Sequence, residues 1–361
     1  MNRRDFATGL SAAIVLAPVL ARAEASLDLA GLDAAWAVAA SGAVKALGKT
    51  DAFLILKDGA LAYERYGPDG GIDTPHVSWS MAKSFTQALV GIAVLDGKVD
   101  IDRPLKIAHT GDPKLTLRHL LTMTDGLAWD ESSYDPATSD ATRMLYGEGR
   151  FDGAAYVAAK PQAVPPGTHW RYSTGDYHLA AAELQLNLFP EATTPEARRG
   201  AMADWIRARL FGPLGMTSAI AEFDAAGTFV GGSLVYATAQ DFATFGELYR
   251  LDGVWKGKRL LPAGWVAFAR TPTVQPAYGA GWWLEAPATN KEPSLMRGAG
   301  PMDAFSAEGH DGQAILVVPS KGAVIVRLGL MDDGGASWAA LAAWLTPLVN
   351  ALPSAAPHPI G

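Results

Sequence analysis

Strand-like runs at both ends of the chain, with helical segments between them, predict a mixed α/β (α+β) fold. The expected architecture is an antiparallel sheet built from both termini, flanked by terminal helices, with an all-helical lobe inserted. Two observations carry this. Near the N-terminus, Ala52 to Leu56 and Ala60 to Tyr66 are β-prone runs on either side of Lys57-Asp58-Gly59, a hairpin signal. Near the C-terminus, Tyr278 to Glu285, Ala304 to Gly309, Ala314 to Pro319 and Ala323 to Leu330 repeat the pattern. The 361 residues suffice for one large domain or two lobes, and 49% apolar against 19% charged residues is a globular balance.

Taken in order, the chain opens with Arg3-Arg4, a mostly apolar run from Phe6 to Leu20, and Ala21-Arg22-Ala23 as a small-x-small cleavage site. The run is shorter than the roughly 20 residues that span a bilayer, and Gly9 and Pro18 interrupt it, so a cleaved signal over residues 1–23 is expected rather than an anchor. The paired arginines followed by Phe6 resemble a bacterial twin-arginine export signal, which implies a periplasmic or secreted protein with no stable membrane insertion after cleavage. Glu24 to Lys49 has helical apolar spacing (Leu29, Leu32, Trp36, Ala39, Ala40). Ser80 opens a helix through Phe85, Leu89, Val90, Ile92 and Leu95 that Gly97 stops. Helical segments between Pro/Gly turns follow at Leu115 to Met123, Gly153 to Ala159, His178 to Leu186 and Glu196 to Leu210. Beyond Gly231-Gly232 come Ala239 to Leu251, Trp265 to Arg270, the C-terminal strands, and a last helix from about Ser337 to Leu352.

Charge and composition exclude several functions. The net charge is −7, and losing residues 1–23 removes three arginines and one aspartate to leave −9. An acidic chain with no basic run is a poor partner for nucleic acid or anionic membrane. It has no cysteine, which excludes disulfides, thiolate catalysis and Cys-ligated metals. The seven histidines are scattered and no His-Glu-x-x-His occurs, so no metal and no other cofactor is expected. Gly-x-Ser-x-Gly is absent too.

Chemistry concentrates in three elements. Ser80-Met81-Ala82-Lys83 puts a hydroxyl and an amine one helical turn apart on the same face. A lysine that loses its proton there can take the serine proton and make a competent nucleophile. Tyr172-Ser173-Thr174 and Gly309-His310-Asp311-Gly312-Gln313 come later in the chain. Together these resemble the three signature motifs of the class C β-lactamase-related serine hydrolases, which include DD-peptidases, periplasmic esterases and 6-aminohexanoate-oligomer hydrolases. Further segments extend the likeness from about residue 50 to 350: Leu117-Arg118-His119-Leu120-Leu121 with Asp125-Gly126-Leu127, Pro165-Pro166-Gly167, Leu214-Gly215-Met216 and Gly281-Trp282-Trp283-Leu284.

The resemblance implies a β-lactamase/transpeptidase-like domain over 24–361, with an α/β lobe at about 24–79 and 230–361 and a helical lobe at about 80–229. It implies Ser80 as the acyl-accepting nucleophile, Lys83 as base or proton relay, and Tyr172 as the group that shares the proton and delivers it to the leaving group. The backbone N–H groups of Ser80 and Gln313 are expected to form the oxyanion hole. His310 stands where penicillin-recognising enzymes carry a lysine, and with Gly312 it is assigned to substrate binding. Thr174 stands where the lactamase pattern has an asparagine that helps hold the substrate amide; it keeps a hydrogen-bonding group but loses the carboxamide's paired donor and acceptor. Period-two alternation sends one of Trp282 and Trp283 into the core and leaves the other for a cleft wall; Trp282 and Tyr134 are assigned to the substrate. The expected function is an exported serine hydrolase acting on a small-molecule ester or linear amide. A β-lactamase or DD-peptidase, and a non-catalytic periplasmic binding protein on the same fold, remain as alternatives. Oligomeric state is not read from the sequence.

Overall fold

The computed structural model describes residues 27–68, 70–289, 294–332 and 334–356, so the expected export signal lies outside the described residues. In chain order the strands are β1 (Lys49–Lys57), β2 (Ala60–Tyr66), β3 (His76–Val77), β4 (Ile220–Ala221), β5 (Val235–Ala237), β6 (Val254–Trp255), β7 (Lys258–Arg259), β8 (Trp283–Leu284), β9 (Phe305–Gly309), β10 (Gln313–Val318) and β11 (Ala323–Leu330). The helices are α1 (Leu29–Ser41), α2 (Ala82–Leu95), α3 (Leu117–Leu121), α4 (Asp140–Tyr146), α5 (Gly153–Ala158), α6 (Thr174–Leu188), α7 (Pro195–Ile206), α8 (Gly212–Leu214), α9 (Ala239–Arg250), α10 (Trp265–Ala269) and α11 (Gly335–Ala351).

The main sheet has the order β2-β1-β11-β10-β9-β8 with antiparallel neighbours, so the two ends of the chain meet at the β1–β11 pair. Asp58 (φ 49°) and Gly59 (φ 83°) make the β1–β2 turn with both central residues left-handed, the twist a two-residue hairpin needs. Alternation along the strands divides the core. Phe53, Ile55, Leu316 and Ile325 face Leu32 of α1 and Leu341 and Leu345 of α11. Leu54, Leu56, Ile315, Val317, Val324 and Val326 face the opposite way, toward Phe85 of α2 and Phe242 and Phe245 of α9. Phe85 stacks on Phe245 with centroids 3.8 Å apart. Helix α9 approaches the sheet at Gly246, where a β-carbon would fall 2.6 Å from Val324 and 2.7 Å from Ile315.

Helix α2 lies between α9, which covers the sheet, and α6, and it is buried on every side from Ala82 to Ala93. Most of its polar side chains find partners inward, although the Gln87 amide nitrogen is buried without one. Ser84 donates to the Gly281 carbonyl (2.6 Å) and Thr86 to the Gly231 carbonyl (2.7 Å), which ties the two glycine segments around the start of the helix.

The first predicted helix is shorter than its Ala-rich pattern suggests. It ends at Ser41, where Gly42 takes a left-handed C-cap, because the chain must reach β1 and pair with β11. Likewise Tyr278 to Glu285 is mostly irregular, with only Trp283–Leu284 as strand. Gly279 packs against the Ala269 carbonyl and Gly281 has φ 75°, so the backbone cannot run straight. Among the described residues no helix is long and apolar enough to cross a membrane.

Candidate active site

Ser80 owes its position to strain at Trp79. Ser78 is fixed to β5: its N–H donates to the Val235 carbonyl (2.7 Å) and its hydroxyl accepts from the Val235 N–H (3.0 Å). Trp79 then adopts φ 44°, a left-handed conformation that costs a non-glycine residue about 1–2 kcal/mol. The chain turns there into α2 and leaves Ser80 on the wall of a cleft of about 1430 Å³.

Lys83 comes one helical turn later and is almost fully buried. Its Nζ lies 2.9 Å from Ser80 Oγ, 3.0 Å from Thr174 Oγ1 and 2.8 Å from the Gly232 carbonyl oxygen. Burial disfavours the ammonium and lowers its pKa from 10.5 to about 8, against the opposing pull of the Glu131 and Asp176 charges. About a tenth of the molecules therefore carry a neutral amine at pH 7, enough for a base next to a hydroxyl.

Tyr172 sits just before α6, with its ring centroid 4.9 Å from Lys83 Nζ. Burial holds its hydroxyl well above the ordinary value of 10; Tyr278 and Glu131 push the same way, and a hydrogen bond with Ser80 opposes them. Tyr172 thus stays a phenol that can pass a proton, and the group able to act as base near neutral pH is Lys83. Its ring stacks on Trp283 at 5.7 Å. Thr174 begins α6, where Ser173 caps the helix by accepting from the Asp176 N–H (3.0 Å).

The opposite wall is the turn between β9 and β10. A β-carbon on Gly309 would fall 2.3 Å from the Ser78 carbonyl oxygen, so the end of β9 reaches the Ser78–Ser80 segment only because this residue is glycine. His310 lies in the cleft wall with Nδ1 3.1 Å from the Tyr134 hydroxyl and Nε2 3.3 Å from Asp311 Oδ1, its ring edge-on to Trp79.

Three sequence assignments are corrected by this geometry. Asp311 (φ 61°) and Gly312 (φ 76°) coil the chain, so the Gln313 N–H donates to the His310 carbonyl within the turn instead of facing the cleft. The Gln313 carboxamide points backward to β11, donating to the Gly329 carbonyl (2.6 Å) and accepting from its N–H (3.0 Å). Gly312 does not line the cleft either: a β-carbon there would meet Met331 Sδ at 2.6 Å and Arg327 Nη1 at 2.8 Å. Trp282 is fully buried against Phe245, Tyr249 and Phe305, and Trp283 is the tryptophan on the cleft. Ser80, Tyr172, Thr174, Tyr134 and His310 all line the cleft, and Lys83 lies just beneath Ser80.

Two residues outside the motifs also shape the site. Glu131 accepts from the Thr174 N–H (2.7 Å), the Thr174 hydroxyl (2.5 Å) and the Trp129 indole N–H (2.9 Å). Nothing in its loop sequence marks it out. Arg327, buried on β11, donates to the Asp311 (2.7 Å) and Gly312 (3.1 Å) carbonyls, to Thr50 Oγ1 (3.1 Å), and to the Leu47 and Lys49 carbonyls. Burial lowers its pKa to about 10, which leaves it charged. The signal for it is a lone arginine in the apolar run Ala323 to Leu330, since a buried guanidinium needs acceptors waiting for it.

Residues 41–329 match the model of the family described as Beta-lactamase. A 6-aminohexanoate-dimer hydrolase from Paenarthrobacter ureafaciens is 24% identical over 230 residues, 60% of this chain and 56% of the relative, so the match spans little more than half of that protein. Among solved structures, a Bacillus anthracis protein classed as a 6-aminohexanoate-dimer hydrolase superposes with a TM-score of 0.66 at 20% identity, covering 84% of this chain and 80% of its own. A D-stereospecific amidohydrolase from Streptomyces gives 0.59 at 18% identity, covering 84% and 95%. These two likenesses are of fold. With the family match spanning most of the sequence, the chain belongs to the beta-lactamase family and is a hydrolase of the serine beta-lactamase fold.

Proposed function

We propose that this chain is an exported hydrolase of ester or linear amide bonds that works through an acyl-enzyme on Ser80. The observation that carries the reading is the contact between Ser80 Oγ and a buried Lys83 amine whose pKa is lowered to about 8. Neutral Lys83 takes the Ser80 proton as Oγ bonds to the substrate carbonyl carbon. The oxyanion forms against the Ser80 N–H. Collapse breaks the bond to the leaving alcohol or amine, which receives the proton from Lys83 by way of Tyr172. Water then adds to the acyl ester with the proton route reversed, releasing the acid and restoring the Ser80 hydroxyl.

Substrate class is set by the neighbouring side chains. Thr174 is bound to Glu131 and Lys83 and offers no carboxamide to a substrate. His310 stands in place of a fixed cation and is engaged with Tyr134 and Asp311. Each missing charge-assisted grip is worth about 1.5–3 kcal/mol, so a β-lactam loses roughly a hundredfold or more while a small ester keeps the whole reaction centre. The expected ratio of kcat/KM strongly favours p-nitrophenyl acetate over a chromogenic cephalosporin on one enzyme sample; a cephalosporin value equal to or above the ester value overturns the reading. Export rests on Arg3-Arg4, the apolar run and Ala21-Arg22-Ala23. Fractionation of expressing bacteria should find the processed chain outside the cytoplasm, and Arg3→Lys with Arg4→Lys should strand it inside. Equal partition of both forms contradicts this.

A further inference from the structure

Glu131 grips Thr174 at two points. One carboxylate oxygen, Oε2, accepts from the Thr174 N–H at 2.7 Å and also from the Trp129 indole N–H at 2.9 Å. The other, Oε1, accepts from the Thr174 hydroxyl at 2.5 Å. A hydroxyl can donate or accept, but it has a single proton. With that proton directed at a carboxylate, Thr174 Oγ1 can only accept from Lys83, 3.0 Å away. The Gly232 carbonyl, 2.8 Å from the same nitrogen, can also only accept. A neutral amine has two N–H groups and one lone pair. Two neighbours that only accept take both N–H groups, and the lone pair is left for the third neighbour, Ser80 Oγ at 2.9 Å.

We infer that Glu131 is a positioning residue that, acting through Thr174, aims the Lys83 lone pair at the Ser80 hydroxyl. The inference rests on the acyl-enzyme reading. The same arrangement also receives the transferred proton. As the Ser80 Oγ–H bond breaks and Oγ bonds to the carbonyl carbon, the proton arrives on Lys83 Nζ. The resulting ammonium has three donors for three acceptors already in place: Thr174 Oγ1, the Gly232 carbonyl and Ser80 Oγ. No side chain must turn. The Glu131 charge further favours the ammonium that forms. Without Glu131 the Thr174 hydroxyl is free to turn its proton toward the lysine nitrogen and occupy the lone pair that Ser80 needs.

Glu131→Gln tests this sharply. Two N–H donors converge on the Oε2 position, so the glutamine oxygen settles there and its NH₂ faces Thr174 Oγ1, forcing the hydroxyl to accept from it and reverse. The expected result with p-nitrophenyl acetate is a kcat lowered about tenfold or more with KM held within about threefold. The acid limb of the kcat–pH profile should also move to lower pH, because an anion that favours the ammonium is gone. In a Thr174→Ala background, where no hydroxyl can reverse, the same change should lower kcat by less than about threefold. Glu131→Asp keeps a carboxylate and should run at least about fivefold faster than Glu131→Gln, whatever either change does to the melting temperature. A Glu131→Gln enzyme at the wild-type rate, an equal loss in both backgrounds, or an aspartate variant as slow as the glutamine one overturns the inference. Activity that survives Ser80→Ala overturns the acyl-enzyme reading and this inference with it. Ser80→Ala inactive beside Glu131→Gln fully active overturns this inference alone.

Discussion

The two walls of the cleft are built on opposite principles. On the helical wall, α2 and the start of α6 present Lys83 and Thr174, each 2% exposed, and each polar atom meets fixed partners at 2.5–3.0 Å. On the sheet wall, His310 is about one third exposed, opens a turn with two consecutive left-handed residues, and leans on Tyr134 of the loop before α4, itself 60% exposed. Reacting groups need a geometry held to a fraction of an ångström, and packed helices supply it. Groups that meet variable substrates tolerate, and use, a looser support. If Ser80 reacts as proposed, the first wall carries chemistry and the second selection, so changes on the helical wall should fall on kcat and changes on the sheet wall more on KM.

The largest effect that would break this division belongs to the helical wall. Ser80→Ala should abolish turnover of p-nitrophenyl acetate, a loss of at least about a thousandfold, with the melting curve unchanged. In the unaltered enzyme kcat/KM should rise with pH through a midpoint near about pH 8 and level off above it if Lys83, once neutral, is the group that accepts the Ser80 proton. The sign is fixed: burial lowers the lysine pKa, so the active form dominates above that value and is lost below it. A pH–rate profile that is flat between about 6 and 9 rules out Lys83 as the base.

An intermediate effect probes how the looser wall is held. Arg327→Leu removes the donors that pin the Asp311 and Gly312 carbonyls to β11 and leaves several buried carbonyls unpaired. Unsatisfied buried groups cost about 1–3 kcal/mol each, so the melting temperature should fall by about 5–10 °C. Ester turnover should fall about tenfold as the turn drifts from Ser80. Arg327→Lys should recover only part of both, since one ammonium cannot serve carbonyls on either side of the strand. Calorimetry and steady-state kinetics on the same preparations give the answer; unchanged turnover in a destabilised enzyme would detach the turn from catalysis.

The same division explains which features are legible in the chain. Ser80 lies in a 3-10 turn (Trp79–Met81) that runs straight into α2, and residues three apart share a face in either helix type, so the 2.9 Å contact with Lys83 follows from their offset. The hairpin at Asp58-Gly59 and the last three strands, β9 to β11, are equally legible from alternation and turn residues. In the His310 to Gln313 turn, by contrast, the direction of each N–H depends on φ at Asp311 and Gly312, and a motif carries no φ. The motif therefore points Gln313 at the cleft, whereas its amide closes the turn instead. The tryptophan pair shows an intermediate case: alternation requires one of Trp282 and Trp283 to be buried, but the phase is set by the left-handed Gly281. Glu131 is invisible in the sequence because its partner Thr174 lies 43 residues away and only tertiary packing brings the two together.

The smallest effect sharpens the comparison most, because it separates selection from chemistry. Tyr134→Phe removes one hydroxyl, the group 3.1 Å from His310 Nδ1, and leaves the ring that meets the imidazole edge-on at 4.8 Å. A hydrogen bond in a partly exposed position is worth about 0.5–1.5 kcal/mol, so a loss of about two- to tenfold is expected. For p-nitrophenyl acetate, too small to span the cleft, both constants should stay within about twofold of wild type. For a longer linear amide that reaches Tyr134 and His310, KM should rise by the full factor while kcat holds. If kcat falls instead, and falls equally for both substrates, Tyr134 takes part in the proton route, and the sheet wall does chemistry as well as selection.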